Sequence, residues 1–157
     1  MKPFLVIISK VIPYFVISLI NVATILFLSV RILGMPIQGS TILLIAITIL
    51  YIFCALSLGI LISTVTDSQL AAMLISLLGL MLPVVMLSGY VFPVANMPII
   101  LQVLSNIVPA KWYIIMVKSV MIKGLGLNGI WRESLILFGM TIFFIAISLK
   151  RFKIRLT

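Results

Sequence analysis

Few residues in this chain of 157 could do chemistry, and their scarcity is informative. There are two carboxylates, Asp67 and Glu133, one thiol, Cys54, and no histidine. A paired-carboxylate acid–base site needs both groups within reach of one substrate atom, and here the two acids fall in loops expected on opposite sides of a membrane. Without histidine there is no imidazole base, no relay to a nucleophile and no imidazole metal ligand. Cys54 has no second cysteine to pair with and reads as a small apolar filler inside a hydrophobic run. Gly124 and Gly126 bracket a leucine, but they have neither the spacing nor the preceding strand of a phosphate-cradling loop. No catalytic, metal-ligating or cofactor-binding residue is nominated, and an enzyme working through side chains is not expected.

The elements that would position any site are hydrocarbon. Hydrophobic residues make up 64% of the chain and charged residues 8%. A helix rises about 1.5 Å per residue, so about 20 apolar residues cross a hydrocarbon core of roughly 30 Å. Four runs approach or reach that length, giving predicted spans over residues 11–33, 40–63, 70–89 and 133–149. Gly34 to Gly39 is a tight hairpin turn with Pro36 in it, and 64–69 is a second short polar turn. The expected fold class is an all-α polytopic membrane helix bundle, a single transmembrane domain over 1–157. Lys2 and Lys10 bound a short apolar stretch that suits a short N-terminal interfacial helix leading into the first span. Pro83, well inside the third span, removes a bond to the carbonyl of Gly79. A kink packed against protein is expected there, because lipid cannot satisfy the freed carbonyl.

Residues 90–132 are less regular. Ser88, Gly89 and Pro93 break the third helix, and Asn96 to Pro98 starts a new element. Ile99–Val108 and Lys111–Lys123 are too short to span and read as a re-entrant helical pair. Within the second, Lys111 and Lys118 share a helical face, while Trp112, Tyr113, Met116 and Val117 point elsewhere. Trp131, Arg132 and Glu133 then lead into the last span, which ends in a basic tail over 150–157.

Net charge is +9, which in a membrane protein reads as span-flanking cations rather than nucleic-acid binding. With four spans, Lys2, Lys10, Lys150, Arg151, Lys153 and Arg155 share one side with Asp67. Arg31, Lys111, Lys118, Lys123 and Arg132 share the other with Glu133. The density of the tail, directly abutting a span end, places both termini in the cytoplasm.

Three features inside the spans invite a functional reading. Ala55, Gly59 and Ser63 recur every four residues, a small-residue ridge that lets helix backbones approach closely. It serves either internal packing or a dimer contact. Asn21 lies mid-span, on one stripe with Tyr14 and Ser18, and an amide in hydrocarbon needs another helix or a wet path. No ionisable residue occupies the middle of a span, so a proton relay has nothing to work with. Energy for uphill movement would have to come from another subunit.

The motif order narrows the field. Leu87–Pro93 (LSGYVFP), Asn96–Pro98, Leu104–Pro109 (LSNIVP), Lys118–Gly126 (KSVMIKGLG), Trp131 and the basic end Lys150–Lys153 closely resemble the signature stretch of ABC-2 type transporter permeases. In the N-terminal half, Met1–Phe4 with Lys10, Pro13 and Tyr14 looks like that family's entry into its third helix. Gly59–Thr64 (GILIST) with Gln69 and Met73 looks like the turn between its fourth and fifth. Two positions depart from the pattern: Leu5 stands where the family usually has glutamate, and Ser9 where it often has glycine. Any charge-based contact at the first is lost.

The resemblance implies the C-terminal four-helix portion of a six-helix permease, lacking the external domain and the cytoplasmic coupling segment. It further implies an inner-membrane exporter subunit that forms a homodimer or heterodimer in the lipid and docks on an ABC ATP-binding subunit, where ATP is hydrolysed. Lys2, Lys10, Asp67 and Gln69 would face the ATPase, and Asn21, Gly89 and Pro93 would lie near the pathway or its outer gate. The rival expectations are a truncated, non-transporting fragment and a small membrane scaffold that binds through the ridge at Ala55, Gly59 and Ser63.

Overall fold

The computed structural model describes residues 2–155, and among these every regular element is helical. Helix α1 spans Pro3–Arg31 and α2 spans Thr41–Val65. A third span follows in three parts: α3 (Gln69–Leu74), a π-helical stretch (Ile75–Met81) and α4 (Leu82–Leu87). A single 3₁₀ turn at Val94–Asn96 precedes α5 (Ile99–Ser105) and α6 (Pro109–Met121), and α7 (Leu127–Arg155) closes the chain. Four helices are long and apolar enough to cross a membrane, Phe4–Arg31, Thr41–Val65, Gln69–Leu87 and Leu127–Lys153. The protein is an all-α polytopic bundle.

Local chemistry sets the boundaries. Pro3 occupies the first turn of α1, where its missing N–H is one of the donors a helix start leaves unpaired anyway. At the other end Gly34 adopts φ +62°, and the Met35 amide donates to the Ser29 carbonyl. Gly124 repeats the device after α6 with φ +63°, the Leu125 amide donating to Ser119. Both are left-handed glycine stops of the Schellman type, a backbone conformation that a Cβ would strain. Ser40 and Ser68 cap α2 and α3, their hydroxyl oxygens accepting from the amides of Leu43 and Ala71 at 3.4 and 3.1 Å.

The core lies between α2, α6 and α7. Leu44, Ile47 and Cys54 from α2 pack with Met116, Val120 and Met121 from α6 and with Ile130 and Leu137 from α7. Lipid tails are as apolar as these side chains, so the gain comes from close packing and interhelical hydrogen bonds rather than escape from water. The Tyr113 hydroxyl lies 3.0 Å from Thr48 Oγ1, and the Tyr113 ring stacks on Tyr51 with centroids 4.4 Å apart. Helix α1 leans on α2 through Phe15 and Phe53, whose ring centroids are 4.8 Å apart. The third span contributes no buried residue.

Several boundaries differ from the sequence reading. Residues 3–10 are not a separate interfacial helix but the first two turns of α1, since nothing between Lys2 and Pro13 stops a helix. Helix α7 begins at Leu127 rather than 133, its charged first turns projecting beyond the apolar run. The irregularity expected at Pro83 is a π stretch immediately before it, inside a span that stays one helix. Pro83 is half-buried and Gly79 exposed, so the span is not packed into the bundle as expected.

Candidate functional site

Helices α1, α2, the third span and α7 alternate in direction, so their connections gather at two ends. At one end stand Lys2 and Lys10 from α1, Asp67 and Gln69 from the turn into α3, and Lys150, Arg151 and Lys153 from α7, all exposed. A groove of about 680 Å³ opens beside them between α1, α2 and the start of α3. Lys10, Tyr14, Ser63, Thr64 and Gln69 supply its polar lining, and Leu56, Gly59 and Ile60 its apolar wall. The fold thus brings Lys10 and Gln69 to one groove, and places the Ala55, Gly59 and Ser63 ridge along it.

That ridge is exposed on all three residues, and a Cβ on Gly59 would meet nothing within 4 Å. Asn21 is also exposed, on a helix whose packing partners are α2 and α7. Ser18, one turn earlier, turns its hydroxyl back to the Tyr14 carbonyl at 2.8 Å. In a membrane-spanning helix such exposure means contact with lipid or another polypeptide, and a mid-span amide favours the second.

The opposite end holds the bent helix pair. Helices α5 and α6 meet at 83°, across a break of at most four residues. Gly89, half-buried with φ +82°, turns the chain out of α4. Pro93 and Phe92 face Leu82, Pro83 and Met86 of α4 and Leu101 of α5 around an apolar cavity of about 470 Å³. Gly89 and Pro93 therefore belong to one structure, the joint between the third span and α5, whereas Asn21 sits elsewhere on α1. Arg31, Lys118, Lys123 and Arg132 are exposed at this end. The Gln38 amide ties the α1–α2 turn to the Met121 carbonyl at 3.1 Å.

Sequence reasoning missed the polar contacts of the bent pair. Lys111 turns back across the bend, donating to Ser105 Oγ at 3.1 Å and to the Asn106 side-chain oxygen. The Trp112 indole N–H donates to the Asn106 carbonyl at 3.0 Å. The signal available was the pair Gln102 and Ser105, two polar residues three apart in a short apolar run. Among the described residues no cluster of three or more His, Cys, Asp or Glu side chains could hold a metal ion.

Four helices long and apolar enough to cross a membrane, with one bent helix pair beside them, define a polytopic integral membrane protein. The chain belongs to the ABC-2 family of transporter proteins, which it matches over residues 1–150. It is similar to the Escherichia coli protein described as "Probable multidrug ABC transporter permease YbhS", at 34% identity over 73% of this chain and 30% of that protein. Similarity extends to the E. coli "Inner membrane transport permease YhhJ", at 31% identity over 78% of this chain and 32% of that one. It also reaches "ABC transporter G family member 20" of Dictyostelium discoideum, at 29% identity over 83% of this chain and 18% of that protein. The chain spans about a third of the length of the bacterial relatives it matches. No solved structure matches it.

Proposed function

We propose that this chain is a permease subunit of an ABC exporter in a bacterial inner membrane, moving substrate outward with ATP hydrolysed on a separate subunit. The observation that carries the reading is the family match along nearly the whole chain, in a protein whose described spans hold no Asp, Glu, Lys, Arg or His at mid-depth to drive transport themselves. Both termini are cytoplasmic on this reading, so the end with Lys2, Lys10, Asp67 and Gln69 meets the ATP-binding subunit. Closure of that subunit on ATP rocks the helices, and the joint at Gly89 and Pro93 forms part of the outer gate. Asn21 lines the pathway or pairs with a second permease copy.

The test is affinity purification of the tagged chain from its native membrane in mild detergent, with mass spectrometry of what accompanies it. An ATP-binding subunit among the co-purified proteins is expected, and its absence at native expression would refute docking by this chain. A second reading, assembly of two permease chains through the small-residue ridge, is favoured by the exposure of Ala55, Gly59 and Ser63. Dimerisation that falls when Gly59 is replaced by leucine, with no ATPase present, would separate this contact from docking.

A further inference from the structure

The third span touches the core only lightly at the end that carries the bent pair, where α4 meets α6 at a few residues. The span buries no residue, and α5, which follows it, buries only Ser105. Helix α6 is the opposite case, burying Ala110, Met116, Ser119, Val120 and Met121 against the bundle. What crosses the bend from the fixed α6 to the loosely held α5 is a continuous hydrogen-bond chain.

It starts at the Lys111 ammonium, which donates to Ser105 Oγ at 3.1 Å and to Asn106 Oδ1, and lies 5.2 Å from the centre of the Trp112 ring. Ser105 is fully buried. Its own proton goes to the Gln102 carbonyl at 2.6 Å, so the bond from Lys111 uses its free lone pair. The Gln102 side-chain amide then donates to the Met97 carbonyl at 2.8 Å and the Ala95 carbonyl at 3.4 Å. Residues 92, 93, 97 and 101 in turn line one cavity with Leu82, Pro83 and Met86 of α4. Hydrogen bonds from an ionised donor are stronger than neutral ones.

We propose that Lys111 is a positioning residue: its ammonium latches α5 and the 93–98 loop to the anchored α6, and so sets where the outer end of the third span lies. Its bearing on transport rests on the permease reading, whereas the latch does not. Without the charge, Ser105 and Asn106 lose their donor, and the polar ties across the bend to α6 fall to the Trp112 bond and the backbone bonds of the turn. The family match says nothing of this role, which comes from the bonds across the bend.

The test uses the full chain in lipid nanodiscs with Cys54 replaced by alanine. Spin labels at the exposed positions Val103 on α5 and Ile122 beyond α6 report the latch. A second pair at exposed Ile42 and Leu135 reports the core helices α2 and α7. Lys111→Met should lengthen and broaden the first distance and leave the second unchanged, and Lys111→Arg, which keeps the donors, should restore the first. An unchanged first distance in Lys111→Met overturns the proposal. So does a change in both pairs, which would make Lys111 a residue of general stability. Where ATP-driven export is measured, widening without slower export overturns the role at the gate. Absence of export from the Lys111 protein itself counts against the permease reading and leaves the latch standing.

Discussion

Replacing Gly39 by alanine tests whether the turn between α1 and α2 is wedged onto the core. An added Cβ would stand 2.5 Å from the Val120 carbonyl oxygen, 3.0 Å from Val120 Cγ1 and 3.2 Å from the Val120 carbonyl carbon. Two of these three atoms are backbone of α6, and Val120 is fully buried, so the obstacle cannot swing aside. The turn must lift instead, straining or breaking the bond from the Gln38 amide to the Met121 carbonyl, now 3.1 Å. Overpacking of this kind costs about 1–3 kcal/mol, and a lost hydrogen bond adds about 1 kcal/mol. A total of about 2–4 kcal/mol corresponds to a drop in the folding equilibrium of between about thirtyfold and a thousandfold. The assay is reversible unfolding in mixed micelles of mild detergent and dodecyl sulfate, followed by tryptophan fluorescence. Gly59→Ala is the matched control, since its Cβ meets nothing within 4 Å. It should be neutral or more stable, alanine being the better helix former by about 1 kcal/mol. A Gly39→Ala protein within about 0.5 kcal/mol of Gly59→Ala, inside the range of an ordinary surface substitution, would refute the wedge.

Tyr113→Phe removes the hydroxyl that meets Thr48, while Thr48 keeps its 2.7 Å bond to the Leu44 carbonyl. Interhelical hydrogen bonds in membranes average about 0.6 kcal/mol, so a loss of that order is expected in the same unfolding assay, and one several times larger would mean the contact does more. Gly124→Ala places a Cβ at φ +63° and 3.3 Å from the Gln38 carbonyl oxygen. It should destabilise by about 1 kcal/mol or more, measured the same way. If the end bearing Asp67 and Gln69 meets the ATP-binding subunit, Asp67→Asn with Gln69→Ala should weaken co-purification of that subunit. Unchanged co-purification and unchanged export-coupled ATP hydrolysis would rule the contact out.

The spans were legible because lipid imposes a minimum apolar length, and only uncharged runs meet it. Their ends were less so. Trp131, Arg132 and Glu133 read as the lead-in to a span starting at 133, yet α7 already runs from Leu127, because a helix can carry its polar turns out past the hydrocarbon. The bent helix pair was readable as two runs too short to span, the first of them opened by Asn96 to Pro98. The ridge at Ala55, Gly59 and Ser63 was visible as a spacing, but periodicity names a face without saying what lies against it. Lys111 appeared as one of two lysines on a helix face, whereas its partners lie back across the bend, and no repeat announces a contact through a turn. Lys10 and Gln69 were grouped by side of the membrane, and their sharing of one groove depends on how α1 crosses α2.

The π stretch at Ile75–Met81 alters how the third span presents its sides. An α-helix advances about 100° per residue, and a π insertion accommodates roughly one extra residue without breaking the helix. The stripe of side chains on α4 is therefore rotated by about a quarter of the circumference relative to the stripe that α3 would project onto it. One span can thus turn two differently oriented faces to its surroundings, one at each depth of the membrane. Reversion of the stretch to regular α geometry would twist α4, and with it the attached 93–98 loop and α5, about the helix axis and also advance it by about the 1.5 Å rise of the residue regained.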